Sequence, residues 1–242
     1  MRLKGGYTNY GESIGILMLD TRFPRPPGDI GNAHSYDFPV RYKIVKNAYT
    51  DRIMGHSPDP ELIEPFVEAA RELESEGVKA ITTSCGFLAP FQKHLAEAVN
   101  IPVFASSLLQ APLIHVMIGG SRPIGIFTER AEFMADDHFK GVGWSSDTIP
   151  VFVKGMKPDA VFPKVYIGNS NELDTRVLIA EMEEMTHEFI KECPDAGAIL
   201  FECTNMCPFA SHVQAISGLP VFDINTLIHW VQRSVEPRRF LG

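Results

Sequence analysis

The sequence lacks a run of apolar residues as long as the ~20 that a membrane-spanning helix needs, and it lacks an excess of positive charge. It has 22 lysine and arginine residues against 30 aspartate and glutamate residues, a formal net charge of −8 and a pI near 5.5. This balance disfavours nucleic acid and anionic membranes as partners. The first thirteen residues also lack the apolar core of a signal peptide. We therefore predict a cytoplasmic protein that acts on a small molecule.

Cysteine is scarce, and known cofactor motifs are missing. The four cysteines are Cys85, Cys193, Cys203 and Cys207. In a chain without an export signal they are expected to be reduced thiols rather than disulfides. No C-x2-C pair suggests a metal site, and no G-x-G-x-x-G suggests a bound nucleotide. We predict an activity without metal or organic cofactor, so the question becomes which thiols are reactive.

An internal repeat dominates what is present. Residues 80–109 and 198–227 align without a gap at an offset of 118 and agree at ten of thirty positions. About two matches would be expected by chance at ordinary residue frequencies. Each copy has an apolar run, a polar patch with a cysteine, a helical stretch and a Pro-Val-Phe segment. The two cysteines in matched positions are Cys85 and Cys203.

Shorter echoes extend the repeat towards the N-terminus. The apolar run 14–19 resembles 124–127, and Pro39-Val40 resembles Pro150-Val151, at offsets of 110 and 111. We interpret the chain as a duplicated lobe of about 110 residues, which is within the usual domain range. The predicted boundaries are 1–115 plus 228–242 for lobe one and 116–227 for lobe two.

The order of elements predicts an α/β fold. Helical periodicity over 60–77 and 173–193 alternates with short apolar runs of strand length. We expect two pseudo-symmetric lobes, each a mainly parallel sheet flanked by helices, with the active site in the cleft between them. Ligands of such sheets bind at the carboxyl ends of the strands, where both matched cysteines fall. The Pro- and Gly-rich loop 21–38 leaves the same edge and is expected to cover the site.

The two cysteines suggest acid–base chemistry on a carbon centre. Each precedes a predicted helical segment, 87–99 or 206–216, and a helix start lowers the pKa of a thiol. A thiolate on one side of a carbon acid could remove a proton while a thiol on the other side returns one. The charge that develops on a substrate carboxylate needs fixed donors. Donors beside the thiols are Thr83, Ser84, the Gly86 amide, Thr204 and Asn205.

These features resemble the aspartate/glutamate/hydantoin racemase superfamily over nearly the whole chain. The resemblance rests on the duplicated lobes, on T-S-Cys85-G-F and on Cys203-Thr204 followed by a polar residue. It implies that the two cysteines are the acid–base catalysts and that flanking residues bind a substrate carboxylate. By position it also implies roles for Asp20 and Thr128.

Departures from the superfamily pattern fall on positions that would contact the substrate. Gly86-Phe87 stands where amino-acid racemases usually have Asn-Thr, and Asn205 stands where the family often has an acidic residue or histidine. The resemblance therefore predicts the type of reaction better than it predicts the identity of the substrate. Arg22 and Arg25 either bind a carboxylate or brace the Pro-rich loop.

We predict a racemase or epimerase of a small carboxylate, an amino acid or a derivative, with Cys85 and Cys203 as catalysts. The substrate-binding set is Asp20, Arg22, Thr83, Ser84, Gly86, Phe87, Thr128, Thr204 and Asn205. Alternatives are an arylmalonate-decarboxylase-like enzyme, which needs one cysteine, a maleate-isomerase-like enzyme, and a two-lobed binding protein without catalysis. The cysteines could also be small buried hydrophobes. A homo-oligomer is compatible with the sequence.

Overall fold

The computed structural model describes residues 5–238 and 240; the remaining positions (1–4, 239, 241 and 242) belong to the ends of the predicted lobe one. In the described part the strands are β1 (Ile14–Met18), β2 (Val40–Ile44), β3 (Ala80–Thr83), β4 (Val103–Phe104), β5 (Ile124–Thr128), β6 (Val151–Gly155), β7 (Ala198–Phe201) and β8 (Val221–Phe222). The α-helices are α1 (Thr50–Ile53), α2 (Ile63–Ser75), α3 (Gln92–Ala98), α4 (Ala111–Met117), α5 (Asp136–Gly141), α6 (Val161–Tyr166), α7 (Thr175–Glu192), α8 (Ala210–Ser217) and α9 (Ile224–Val235).

The strands form two sheets with the same topology. One has the order β2-β1-β3-β4 and the other β6-β5-β7-β8, and every neighbouring pair is parallel. The register repeats as well, since Ile14 lies opposite Ala80 and Ile124 lies opposite Ala198. The predicted α/β class, with two parallel sheets flanked by helices, is confirmed. The residue boundaries of the lobes stay a prediction.

Apolar sequence explains the central strands. All five residues of β1 and all five of β5 are buried, as expected for parallel strands covered on both faces. Helix α2 buries one stripe, including Phe66, Ala70 and Leu73, and turns its glutamates outward. It ends just before Gly77, whose φ of +95° favours glycine.

The last helix returns to the first sheet. Ile224, Leu227 and Ile228 of α9 pack with Ile14 and Ile16 of β1 in one buried cluster. The C-terminal helix therefore packs on the sheet that contains β1. Within the described residues, no helix combines the length and the apolarity needed to cross a membrane.

The segments after the two cysteines differ from the predicted helices. Each begins as a 3-10 turn, Gly86–Phe91 or Thr204–Phe209, and only then continues as α3 or α8. Both turns contain a proline, Pro90 or Pro208, which has no backbone N–H to donate to an α-helical bond. Each cysteine is therefore followed by a short 3-10 turn rather than by the start of a long α-helix.

Candidate active site

One cavity brings the two matched cysteines together. It is a partly open pocket lined by both Cys85 and Cys203. The two matched cysteines thus line the same space. The other lining residues are Leu19, Phe23, Arg25, Thr50, Met54, Ser84, Gly86, Phe87, Glu129, Tyr166, Glu202, Thr204 and Asn205.

Equivalent backbone contacts place the two cysteine loops. The Ser84 amide donates to the Leu17 carbonyl at 2.9 Å, and the Glu202 amide donates to the Phe127 carbonyl at 2.9 Å. Each bond extends the ladder of a central strand by one residue, and a cysteine follows directly. The carboxyl end of each sheet therefore presents one thiol.

The environment of the thiols disfavours their charged forms. Burial raises the pKa of Cys85, and the nearby Glu202 raises it further. Burial also raises the pKa of Cys203, and Glu129 and Glu202 add to this effect. A backbone N–H two residues further along the chain favours each thiolate but does not offset burial. The expectation of lowered thiol pKa values was therefore wrong, because two buried acids and desolvation outweigh the turn.

Glu129 was missed by the sequence analysis and contacts a catalytic candidate directly. It follows β5, is buried, and its Oε1 accepts a hydrogen bond from the Cys203 Sγ at 3.3 Å. Burial raises the pKa of Glu129 to about 8, against the lowering effect of the Cys203 thiol. The pair is arranged to move a proton between sulfur and carboxylate.

Glu202, immediately before Cys203, is the second acid that was missed. Its Oε2 accepts a hydrogen bond from the Thr128 hydroxyl at 2.7 Å, whereas its Oε1 is buried without a hydrogen-bond partner. Burial raises the pKa of Glu202 to about 8, and the Thr128 hydroxyl lowers it. One carboxyl oxygen of Glu202 therefore fixes the orientation of the side chain, and the other makes no hydrogen bond.

The Pro-rich loop does reach the cavity, through Phe23 and Arg25. The Arg25 guanidinium donates to Asp29 at 2.7 Å and to the Thr21 hydroxyl at 3.0 Å, and it lies 4.4 Å from the Phe23 ring centre. Asp29 in turn accepts from the Asn205 side chain at 2.8 Å. Arg25 therefore braces the loop and also lines the site, with donors to spare beyond these two bonds.

The predicted substrate-binding residues divide into two groups. Those that line the cavity are Ser84, Gly86, Phe87, Thr204 and Asn205. Those outside its wall are Asp20, Arg22, Thr83 and Thr128. Some of these have other contacts: the Arg22 side chain is 79% exposed, the Thr83 hydroxyl donates to the Ala105 carbonyl at 2.7 Å, and Thr128 supports Glu202.

Aromatic residues form another part of the wall that the sequence analysis did not identify. Phe23 and Tyr166 meet edge to face with ring centres 4.9 Å apart. The Tyr166 hydroxyl is buried without a hydrogen-bond partner. Tyr166 lies outside the segments that match between the two halves of the sequence, so no pattern pointed to it. The two glutamates could have been found, because the repeat aligns them with Leu19 and Ser84.

No group of three or more histidine, cysteine, aspartate or glutamate side chains in the described part of the chain is placed to hold a metal ion. The cavity contains two thiols, two carboxyls, a guanidinium and aromatic rings. These groups can bind a small charged molecule and transfer a proton.

Comparison with known sequences finds clear relatives. The chain is 33% identical over 217 residues to a dimethylsulfoniopropionate lyase from Durusdinium sp. clade D, covering 87% of this chain and 71% of that protein. It is 30% identical over 222 residues to dimethylsulfoniopropionate lyase 7 of Emiliania huxleyi, covering 88% of this chain and 64% of that one. No protein-family model matches the chain.

Comparison with solved structures finds the same fold at low identity. A cysteine-substituted variant of arylmalonate decarboxylase has a TM-score of 0.61 and 16% identity, covering 93% of this chain and 94% of that one. An aspartate racemase from Picrophilus torridus has a TM-score of 0.56 and 15% identity, covering 93% and 95%. A glutamate racemase from Francisella tularensis has a TM-score of 0.53 and 14% identity, covering 96% and 85%. The resemblance to the aspartate/glutamate racemase superfamily is thus confirmed at the level of fold.

Proposed function

Because this chain belongs to the dimethylsulfoniopropionate lyase family, we propose that it is a lyase that cleaves dimethylsulfoniopropionate or a similar β-sulfonio carboxylate. The observation that carries the proposal is the 33% identity to a lyase of that name over 87% of the chain. The fold is shared with arylmalonate decarboxylase and with glutamate racemase. The class of reaction, lyase rather than isomerase, is the proposed part.

The substrate has three features that the cavity can match. It has a carboxylate, a carbon-bound proton next to that carboxylate, and a positive sulfur one carbon further on. The spare donors of Arg25 can take the carboxylate, since a guanidinium binds carboxylates with two parallel bonds. Loss of the proton places negative charge on the carboxylate, which such donors stabilise.

Cys203 and Glu129 supply the base. Glu129, when ionised, accepts the thiol proton along the 3.3 Å contact, and the Cys203 thiolate removes the α-proton of the substrate. The electron pair of the broken C–H bond forms the carbon–carbon double bond. The bond from the β-carbon to sulfur breaks, and its electron pair leaves with sulfur as dimethyl sulfide. Acrylate remains, and Glu129 releases one proton to water to restore the site.

This elimination needs a single base, because dimethyl sulfide leaves as a neutral molecule without protonation. The site fits that requirement, since Cys203 has a carboxylate partner and no carboxylate is hydrogen-bonded to Cys85 among the described contacts. Cys85 then serves as part of the wall beside the substrate.

The test is direct product detection. Incubation with dimethylsulfoniopropionate is expected to release dimethyl sulfide, measured by gas chromatography, and an equal amount of acrylate, measured by proton NMR. Cys203→Ala should release neither. Absence of both products with the unaltered protein, at substrate concentrations up to the millimolar range typical of upper KM values, would exclude this activity.

A racemase or epimerase of a small carboxylate is the second proposal, as the sequence indicated. The observation in its favour is that Cys85 and Cys203 reach one cavity from equivalent positions. It predicts exchange of the α-proton when a single enantiomer of an amino acid is incubated in deuterated water. Release of dimethyl sulfide without such exchange across a panel of amino acids would favour the lyase.

A further inference from the structure

Glu202 lines the cavity and has one carboxyl oxygen without a hydrogen-bond partner. Glu202 is 1% exposed, its Oε2 is fixed by Thr128 at 2.7 Å, and its Oε1 has no hydrogen-bond partner. A buried acceptor without a partner costs about 1–3 kcal/mol. The free oxygen is therefore an acceptor that a ligand bound in the cavity can satisfy.

A glycine makes room for this carboxyl beside Cys85. A Cβ atom at Gly86 would lie within 2.5 Å of both the Glu202 Oε1 and the Glu202 carbonyl oxygen. Any other residue at position 86 would push the carboxyl away from the first cysteine loop. The repeat aligns Gly86 with Thr204. The position therefore has no side chain in the first copy and has one in the second.

The other charged groups of the cavity already have partners. Glu129 receives the Cys203 thiol, and Arg25 donates to Asp29 and Thr21. Glu202 is the acid whose oxygen remains available. The adjacent wall includes Phe87, whose ring is held edge-on against His138 at 4.8 Å between centres. A carboxylate next to an aromatic ring is a typical surrounding for an alkylated cation.

We infer that Glu202 recognises the positively charged group of a zwitterionic substrate and that Gly86 is the residue that admits it. The inference rests on the proposed function, because it assigns the sulfonium end of the substrate to Glu202 and leaves the carboxylate end to Arg25. It makes Glu202 a residue that determines specificity: the cavity selects a positive group and discriminates against a neutral one of the same shape.

A pair of inert analogues tests this selection without turnover. In 3-(trimethylammonio)propanoate the positive group is a quaternary nitrogen, and in 4,4-dimethylpentanoate a carbon atom takes its place. Isothermal titration calorimetry above pH 8, where Glu202 is ionised, is expected to show at least about tenfold tighter binding of the charged compound, the scale of a charge-assisted contact in a buried site. Glu202→Gln keeps the shape and the Thr128 contact, and it should bring the two affinities to within about threefold of each other.

Two controls accompany the variant. Glu97→Gln removes an exposed glutamate of α3 and should keep the full preference. Thermal unfolding of Glu202→Gln should show a transition at least as high as that of the unaltered protein, which establishes that the variant is folded.

Each other outcome counts against the inference. Equal binding of the two compounds by the unaltered protein, binding of neither, or an unchanged preference in Glu202→Gln would overturn it. Failure of the lyase proposal is distinguishable: a protein that prefers the charged analogue but releases no dimethyl sulfide keeps the recognition role and loses the reaction.

Discussion

The two cysteine loops have the same backbone and different chemistry. Cys85 and Cys203 follow equivalent strands, and the residues before them make the same 2.9 Å bond to the neighbouring strand. In lobe one the positions that face the cavity are Leu19 and Ser84. In lobe two the repeat places Glu129 and Glu202 there. The two lobes therefore share the backbone of the cysteine loop, but among the described residues only lobe two has acids beside it.

This difference bears on the type of reaction. A racemase must work from both faces of its substrate, so its two thiols need comparable means of gaining and losing a proton. Here one thiol is hydrogen-bonded to a carboxylate, and the other is near an acid that makes no bond to it. An asymmetric site of this kind suits a reaction in one direction with one base, as in the proposed elimination.

The largest expected effect comes from replacing each of the two cysteines by serine in separate variants. Cys203→Ser should lower kcat/KM for dimethylsulfoniopropionate by about 10³-fold, within the range for loss of a general base. Cys85→Ser should lower it by about tenfold at most, because its thiol only lines the site. Steady-state rates of dimethyl sulfide release measure both values. Equal losses in the two variants would contradict the asymmetry and restore a two-thiol mechanism.

A smaller effect on the rate is expected from replacing Glu129, which in lobe two stands at the position of Leu19. Burial raises the pKa of Glu129 to about 8, so below that pH the protonated carboxyl cannot accept the thiol proton. The rate should therefore rise with pH up to about 8 and then level off. Glu129→Gln should lower kcat by about 10²-fold and remove this rise.

The exposed neighbour Glu132, which pairs with Arg130 at 2.6 Å, provides a matched control for that experiment. Glu132→Gln should retain both the rate and the pH profile. A profile that is unchanged in Glu129→Gln would show that another group governs the rise.

The smallest expected effect concerns stability. Burial raises the pKa of Glu202 from 4.5 in its ordinary state to about 8. A group with a raised folded-state pKa contributes its full stability below about pH 4.5 and loses it as the pH rises towards 8. Glu202→Gln stays neutral throughout. The free energy of unfolding of the variant, relative to that of the unaltered protein, should therefore increase between pH 5 and pH 8. The increase should reach about 1–3 kcal/mol at pH 8.

Denaturant unfolding at the two pH values measures this gain, with Glu97→Gln as an exposed control that should show none. A variant that is equally stable relative to the unaltered protein at pH 5 and pH 8 would mean that Glu202 is not the buried acid that limits stability at high pH.

Much of the fold followed from periodicity and repetition. The offsets of 110, 111 and 118 between echoed segments reappear as the same strand order and register in the two sheets. The pairing of Cys85 with Cys203 in one cavity followed from the same symmetry. The thiol pKa values did not, because a local rule about helix starts takes no account of acids that arrive from another strand. Tyr166 reaches the site through tertiary packing, which a pattern along the chain does not show.

The sequence by itself determined that two copies of one α/β unit would each present a cysteine at the carboxyl edge of a sheet, because apolar strands and turn residues act locally. Tertiary structure alone decided which cysteine is coupled to an acid. A hydrogen bond such as that between Cys203 and Glu129 joins residues 74 positions apart. Burial, which raises the pKa values of the two thiols and of the two glutamates, exists only after the lobes have packed together.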